Sequence, residues 1–459
     1  MSSDESEQSS GDEESEEEEE GCAHLRELQR KRAKLYHQVL VLTLALDPEP
    51  KCGPKGPNIK KALFSWAAHC RGLTPEQFKR RYRLSPQAFD ALLARIRLHL
   101  VPSDVRQASR KGALIFVIVS STIDERENHA PAHVSGTPIL AETRLAVALR
   151  FLAGGMALDL SIIYHISLAE VYSTIWRVVD AINGALVVEF PLGDPLKLAQ
   201  LEREFRAKSC FEGWEGQVGA VDGCHFKTIS PGVRVPNPRS FFVARKDEFA
   251  LLATAVCDAD RRFLFWDINV TPTTHDSQSW ALSRLGMAVA DGELDSRYFI
   301  VGDSAYISSD QMIVPMNKPG GTHFDFVQSS NRMCIECAFG MLIRRWGILW
   351  RPIEVRADRR AKLISCCMRL HNYCIDSRIS EENLDAMDGL DAMPVPPDGG
   401  TQERWVKTPR FKDGRPVDFL NAGGGGGGGA AESGTRAGLL RRVTEAGFQR
   451  PPRRPLPGR

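Results

Sequence analysis

The chain has 459 residues, which is enough for two or three domains with cores of their own. Its 59 basic and 58 acidic residues give a formal net charge of +1, but eleven of the acids lie within residues 4–20. The rest of the chain therefore carries a surplus of about twelve positive charges, which favours a polyanionic partner. The longest wholly apolar run, residues 113–119, is too short to cross a bilayer and argues against a membrane-spanning protein.

Eleven cysteines are scattered along the chain in no regular framework. This pattern indicates free thiols in a reducing intracellular compartment. Because the amino-terminal residues are acidic and lack an apolar segment, we expect no secretory signal peptide. A basic cluster at residues 30–34 is compatible with nuclear import, although such short clusters are common.

The amino-terminal part divides into segments of different composition. Residues 1–21 are acidic and of low complexity, and we predict a disordered tail that either competes with a polyanion or aids solubility. Residues 22–59 are predicted to form a basic helix and a proline-rich linker. Residues 60–186 are predicted to form a helical domain, in which two Ser/Thr-Pro pairs mark helix starts. We assign no structure to the insert at residues 101–138.

The helical domain contains a segment with helix-turn-helix spacing. Two short amphipathic patterns meet at residues 165–166, and Ser167 is placed to cap the second helix. If that helix bound DNA, its first turns would offer Glu170 and Tyr172, with no basic residue before Arg177. Many helix pairs with this spacing are ordinary core elements, so the sequence leaves both interpretations open.

From residue 217 onward the pattern changes to short apolar strands. The predicted strands lie at residues 218–221, 226–229, 251–256, 263–270 and 298–301. Asp222 and Asp303 are predicted at the carboxyl ends of two of them, where α/β sheets place their ligands. A third acid, Asp276, is predicted at the start of a helix.

A further helix is predicted to begin at Ser329, Ser330 or Asn331 and to carry Glu336. Its apolar stripe is formed by Ile335, Phe339, Leu342 and Trp346. Glu336 lies beside this stripe, so its carboxylate is expected to face a cleft. A last helix is predicted at residues 361–375, and residues 377–459 are predicted to be a disordered, glycine-rich and basic tail.

The four acids of this region are candidates for a shared metal site. Carboxylate oxygens are the ligands that Mg²⁺ prefers, and a site of few carboxylates leaves room for water and substrate. Two such ions about 4 Å apart can activate a nucleophile and stabilise the leaving oxygen of a phosphodiester. We therefore predict that Asp222, Asp276, Asp303 and Glu336 bind divalent metal, Mg²⁺ or Mn²⁺.

Several motifs of this region occur in the order found in one family. Gly-Ala-Val-Asp-Gly-Cys-His at 219–225 resembles the first-aspartate motif of the PIF/Harbinger transposases and the nucleases derived from them. Thr-His-Asp-Ser at 274–277 and Gly-Asp-Ser-Ala-Tyr at 302–306 resemble its next two motifs. Residues 332–346 resemble its glutamate helix, and Leu-His-Asn-Tyr at 370–373 resembles its terminal helix.

This resemblance implies an RNase H-like nuclease domain at residues 187–376, a mixed sheet flanked by helices with a DDE active site. It implies that Asp222, Asp303 and Glu336 are catalytic and that Asp276 is a further metal ligand. The family acts on DNA in the nucleus, cutting element ends and joining them to target DNA. It often uses a separate Myb-like protein for DNA binding, and homo-oligomers are possible in such a system.

A set of basic residues near the acids is predicted to contact DNA phosphates. These residues are Lys227, Lys246, Arg332, Arg344 and Arg345. Individually, each could equally be a solvated surface charge. Cysteines 334 and 337 with His371 and Cys374 form a weaker candidate for zinc, because their spacing is not that of a zinc ribbon or finger.

One position departs from the family pattern. Ala305 stands where the family has glycine, so we expect a shift in the backbone turn after Asp303. Two functions therefore remain: a metal-dependent DNA nuclease or transposase, and a domesticated, catalytically silent DNA-binding or scaffold protein. The four intact acids favour the nuclease.

Overall fold

A computed structural model describes most of the central chain and one carboxyl-terminal segment. The described residues are 64–100, 139–232, 235–318, 321–378, 411–412, 415–416 and 434–450. The predicted acidic tail, basic helix and insert at 101–138 lie outside these residues, as does the basic cluster at 30–34. No helix in the described part of the chain is long and apolar enough to cross a membrane.

The described part before residue 217 is helical. Its helices are α1 (Trp66–Arg71), α2 (Pro75–Tyr82), α3 (Pro86–Leu100), α4 (Ala141–Leu152), α5 (Ala157–Ile163), α6 (Leu168–Ala185) and α7 (Pro195–Lys208). The start of α2 follows from a capping box, in which Thr74 Oγ1 accepts from the Gln77 N–H and Gln77 Oε1 accepts from the Thr74 N–H. The helix starts predicted from the two Ser/Thr-Pro pairs are therefore confirmed.

Helices α5 and α6 form the pair with helix-turn-helix spacing. Ser167 caps α6 in a capping box with Glu170, as the sequence predicts. The exposed surface of the pair is largely apolar and acidic: Leu158, Ile162 and Leu168 expose 62%, 65% and 42% of their surface, and Asp159 and Glu170 are exposed beside them. Such a face lacks the cations that phosphate contacts need, which does not favour the DNA-binding interpretation.

A mixed sheet follows in the chain. Its strands are β1 (Gln217–Thr228), β2 (Phe242–Val243), β3 (Glu248–Cys257), β4 (Phe263–Asp267), β5 (Phe299–Val301) and β6 (Met312–Ile313). Strand β1 is central, with antiparallel β3 on one side and parallel β5, then β6, on the other. Both β4 and β2 pair with β3 in antiparallel fashion. The predicted mixed sheet and the β3–β4 hairpin are confirmed.

Strand β1 corrects one prediction. The sequence indicated two strands separated by the polar stretch after Val221, but β1 and β3 stay paired from Ala220–Cys257 to Thr228–Phe249. Asp222 therefore lies within a strand and not at its end. The continuous partner strand decides this, because it satisfies the backbone groups of a stretch whose residues have weak strand propensity.

Helices cover both faces of the sheet. They are α7, already described, α8 (Asp276–Leu282), α9 (Arg284–Ala290), α10 (Thr322–Arg345) and α11 (Ala357–Asp376). One apolar core includes Leu198 of α7, Leu285 of α9 and Val218 of β1. The other combines Phe226, α10 and α11 with helices α2 to α6, so the helical part and the sheet share a core.

Helix α10 begins earlier than predicted. It begins at Thr322, and not at Ser329, Ser330 or Asn331. Phe324 and Val327 are fully buried, so the apolar face extends upstream of the predicted stripe. The predicted stripe itself is confirmed, since Ile335 and Leu342 are fully buried and its other members are nearly so.

The helical part contacts the segment after α10 through the closely packed backbones of Gly154 and Gly347. A Cβ built on Gly347 would lie 2.5 Å from the Ala153 carbonyl oxygen and 3.3 Å from the Gly154 Cα. We expect Gly347→Ala to lower the free energy of unfolding by about 1–3 kcal/mol, because backbone atoms cannot move aside as a side chain can. Urea denaturation checks this value.

The control for that measurement is Gly340→Ala on α10. No atom lies within 4 Å of a Cβ built there. Because alanine is the better helix former, this variant should be unchanged or stabilised by up to about 1 kcal/mol. Equal destabilisation of both variants would contradict the close approach at Gly347.

The carboxyl-terminal segment contains a short hairpin and a helix. Strands β7 (Phe411–Lys412) and β8 (Arg415–Pro416) pair, and α12 (Gly434–Glu445) follows. Helix α12 packs against α10 with Leu439 and Val443 buried, and Arg442 forms an ion pair with Glu215. The predicted disordered tail is therefore wrong for residues 434–450, while the glycine run at 423–429 lies outside the described residues.

Candidate active site

The register of two parallel strands sets Asp222 beside Asp303. Ala220 of β1 pairs with Val301 of β5, and each acid lies two residues further along its own chain. Since the strands run in the same direction, the two acids reach the same level of the sheet. Asp303 lies past the carboxyl end of β5, as predicted, and its Oδ1 accepts from the Ala305 N–H at 2.9 Å.

Helix α10 brings Glu336 close to Asp222, because Arg332 contacts both acids. Phe339, one turn further on, packs against Phe226 and Phe263 with ring centroids 6.5 and 5.3 Å apart. Gln328, upstream on the same helix, donates through Nε2 to the Gly302 carbonyl oxygen at 2.6 Å. The helix is therefore fastened to the residue next to Asp303. The sequence analysis missed Gln328, whose partner lies 26 residues away.

A glycine lets the fourth acid approach. A Cβ built on Gly223 would lie 2.7 Å from Asp276 Oδ1, which is closer than real side chains permit. Asp276 begins α8, as predicted, and its carboxylate therefore lies directly against the backbone that follows Asp222. Gly223 belongs to the first-aspartate motif. We did not predict that its lack of a side chain leaves room for the Asp276 carboxylate.

Tyr306 is a second residue that the sequence analysis did not select. A Cβ on Gly302 would lie 2.9 Å from its ring, so the motif glycine makes room for the tyrosine. Its hydroxyl is buried and has no hydrogen-bond partner among the described residues. Burial raises the pKa of Tyr306, and the charges of Asp222, Asp276 and Asp303 raise it further. An unpartnered hydroxyl facing three acids is suited to a bound water molecule.

Ala305 adopts an ordinary backbone conformation in the turn after Asp303. It is not among the described residues with positive φ, so its backbone conformation is open to any residue. Its N–H still bonds to the Asp303 carboxylate. The turn is therefore unstrained with alanine, while the expected shift relative to the family's glycine stays a prediction.

Arg332 links two of the acids. Its Nη2 lies 2.7 Å from Glu336 Oε1, and its Nη1 lies 3.5 Å from Asp222 Oδ2. Burial is the main cause that raises the pKa of Asp222 to about 7. The charges of Asp303 and Glu336 raise this pKa further, whereas Arg332 and the Gly223 N–H lower it.

The donor set suits a divalent cation. Asp222, Asp303 and Glu336 supply hard oxygen ligands whose charges interact, and the Tyr306 hydroxyl lacks a partner. In the described part of the chain, however, no three His, Cys, Asp or Glu side chains are already arranged around one metal position. Arg332 occupies two of the oxygens instead. The acids thus offer the ligand type that a divalent metal prefers, although the described residues hold no metal position already formed.

Comparison with known protein families identifies this region. Residues 221–372 match the family model described as DDE superfamily endonuclease. The match covers about a third of the chain and includes Asp222, Asp276, Asp303 and Glu336. Searches of curated proteins and of solved structures gave no significant match. A DDE endonuclease domain is therefore supported, and the PIF/Harbinger assignment stays a prediction.

The basic residues near the four acids differ in accessibility. Lys227 pairs with Glu248 at 2.5 Å, and Lys246 Nζ lies 3.3 Å from His225 Nδ1. Arg344 is exposed. Arg345 exposes only 1% of its surface, so it belongs to the interior, contrary to our prediction of a DNA contact. The reason is its position on the buried side of α10, next to Trp346.

The zinc alternative is not supported by the described residues. Cys334 lies 3.5 Å from Cys257, sulfur to sulfur, on the β3 side of α10. His371 Nε2 contacts the Arg261 carbonyl oxygen, and Cys374 contacts that of Arg83. Three of the four predicted ligands, Cys334, His371 and Cys374, thus contact different partners.

The raised pKa of Asp222 predicts a pH-dependent stability. A pKa of about 7 in the folded chain, above the ordinary value of 3.8, means that folding favours the protonated acid. The stability contributed by this group therefore falls as pH rises from about 4 to 7. Asp222→Asn removes the charge. At pH 8 we expect the free energy of unfolding of this variant to exceed that of the wild type by about 2–4 kcal/mol.

Urea denaturation in EDTA at pH 8 and at pH 5 measures this effect. The gain should shrink markedly at pH 5, where Asp222 is already protonated in the folded chain. Asp295→Asn is the control, because Asp295 is an acid whose pKa is lowered by Arg297. A gain of the same size at both pH values would contradict the prediction.

Proposed function

We propose that residues 187–376 form an RNase H-like nuclease domain of the PIF/Harbinger type that cleaves phosphodiester bonds in DNA, using Mg²⁺ or Mn²⁺. The observation that carries this proposal is the alignment of Asp222 and Asp303 on neighbouring parallel strands, with Glu336 joined to Asp222 through Arg332. All three acids lie in the segment that matches DDE superfamily endonucleases. A six-stranded sheet with three antiparallel and two parallel strand pairings supports the fold assignment.

Each side chain has a definite task in this proposal. Asp222, Asp303 and Glu336 would hold the cation, and Asp276 approaches from the α8 side through the space left by Gly223. A bound divalent metal would activate the attacking water or hydroxyl and stabilise the leaving oxygen. Gln328 keeps the Asp303 loop against α10, so the acids from strand and helix keep their relative positions.

DNA contacts are proposed for the predicted basic residues that can reach the surface. Lys227 and Arg344 are at least partly exposed, and Lys246 lies near His225, three residues after Asp222. Such phosphate contacts would make binding weaken steeply with salt. The apolar face of α5 and α6 supports DNA binding through a separate Myb-like protein more than through this pair. A DNA substrate also supports the nucleus as the place of action.

The deciding experiment measures nicking of supercoiled plasmid DNA by the purified full chain. We expect cleavage with Mg²⁺ or Mn²⁺, none with EDTA, and none with Asp303→Ala under either condition. Transfer of cut ends to a second DNA in the same reaction would extend the activity to strand joining.

A catalytically silent DNA-binding protein is the second candidate. Two observations favour it: Arg332 contacts two of the acids, and the described residues hold no metal position already formed. If the wild-type chain and Asp303→Ala are equally inert while both bind DNA, this second function replaces the nuclease.

A further inference from the structure

Arg332 lies inside the cluster of acids and not on the surface around it. It precedes Glu336 by one helical turn on α10 and exposes only 14% of its side chain. Its two terminal nitrogens contact different acids, Glu336 at 2.7 Å and Asp222 at 3.5 Å. The two acids come from different elements, β1 and α10, so one guanidinium joins the strand to the helix.

The electrostatic reason for this arrangement is the repulsion among the acids. Asp222 is surrounded by the charges of Asp303 and Glu336, and without a cation the three carboxylates would destabilise one another. The guanidinium is the cation that the described chain itself places among them. Its charge also interacts favourably with Asp303. The planar fork of an arginine suits two carboxylates at once.

We infer that Arg332 is an internal counterion that binds the oxygens a divalent metal would bind, and that metal binding displaces it. This inference rests on the proposed metal-dependent site. Arg332 and the metal compete for Asp222 Oδ2 and Glu336 Oε1, the two oxygens that the guanidinium contacts. The competition sets the metal concentration at which the site is loaded.

Displacement also gives Arg332 a second position. The side chain is anchored one turn from Glu336, so a guanidinium that leaves the acids stays near them. There it can bind an anionic group, such as a phosphate of the substrate. The predicted DNA contact of Arg332 would then arise only after the metal has bound.

The first experiment measures Mn²⁺ binding to the full chain by calorimetry without DNA. We expect Arg332→Gln to bind Mn²⁺ about tenfold more tightly than the wild type, because the competing cation is gone. Arg262→Gln is the matched control, since Arg262 also pairs with two acids, Asp258 and Asp376, away from the site. Its affinity for Mn²⁺ should equal that of the wild type.

Equal or weaker Mn²⁺ binding by Arg332→Gln would overturn the inference and make Arg332 a residue that holds the acids in place for the metal. Absence of Mn²⁺ binding in every variant would overturn it as well. Failure of the proposed function looks different. A chain that binds Mn²⁺ more tightly as Arg332→Gln, but cuts no DNA in any form, is a metal site without nuclease activity.

A second experiment uses the unsubstituted chain and does not depend on folding of a variant. Phenylglyoxal modifies accessible arginines, and mass spectrometry of peptides gives the rate at each position. We expect Mn²⁺ to accelerate modification of Arg332 at least about fivefold and to leave Arg262 unchanged. A constant or slower rate at Arg332 with Mn²⁺ would show that the metal does not displace it.

Discussion

Asp303→Asn is expected to lower the rate of metal-dependent DNA cleavage by at least about 1,000-fold, since metal-assisted stabilisation of the transition state amounts to several kcal/mol. Asp303 lies past the carboxyl end of β5, level with Asp222. The asparagine keeps the shape of the side chain and can still accept from the Ala305 N–H. The substitution therefore removes charge from the site with little change in the turn. Plasmid nicking under single-turnover conditions measures the rate.

The matched control is Asp295→Asn, before the amino end of the same strand. Asp295 is exposed and pairs with Arg297, at the opposite end of β5 from Asp303. This variant should cleave DNA at the wild-type rate. Retention of more than about a tenth of the activity by Asp303→Asn would remove Asp303 from the proposed catalytic set.

Gly223→Ala is expected to reduce cleavage about 100-fold, although the change adds a single methyl group. The added Cβ would lie 2.7 Å from Asp276 Oδ1 and 3.2 Å from Leu252 Cδ1, so Asp276 must move away from Asp222. A displacement of about 1 Å in a group that positions the reaction can cost this factor. Gly193→Ala is the control, because a Cβ there meets no atom within 4 Å.

A double substitution tests the cause of that loss. If Gly223→Ala acts through Asp276, then it should have little further effect in a chain that already carries Asp276→Ala. Independent, multiplicative losses would show that the methyl group acts elsewhere, for example on Leu252 or on the pairing of β1 with β3. Circular dichroism of the variants should show an unchanged fold.

Local patterns predicted a large part of the fold. The hairpin of β3 and β4, the strand before Asp303 and the buried stripe of α10 follow from apolar periodicity, which depends only on nearby residues. The continuity of β1 and the early start of α10 were missed. Both depend on partners elsewhere, namely the β3 backbone and the core that buries Phe324.

In the candidate site, too, some residues could be predicted from local patterns and others depend on distant contacts. The four acids could be selected from the sequence because each follows a strand pattern or lies on a predicted helix. Arg332 was also selected, but as a DNA contact. The sequence shows only a basic residue near acids, and such a residue was expected to lie on the surface, where phosphates can reach it. Tyr306 and Gln328 were not selected. Their importance comes from burial and from contacts with Gly302, which residue type and spacing do not reveal.

The sequence by itself determined that Asp303 follows a strand and that Asp276 begins a helix, because side-chain alternation and capping are local effects. It also indicated a DDE nuclease domain, and residues 221–372 match the DDE superfamily endonuclease model. Only the tertiary structure decided that Arg332 joins Asp222 to Glu336 and that Arg345 lies in the interior. Arg332 and Asp222 are separated by 110 residues, and the folding of α10 onto β1 brings their charges together.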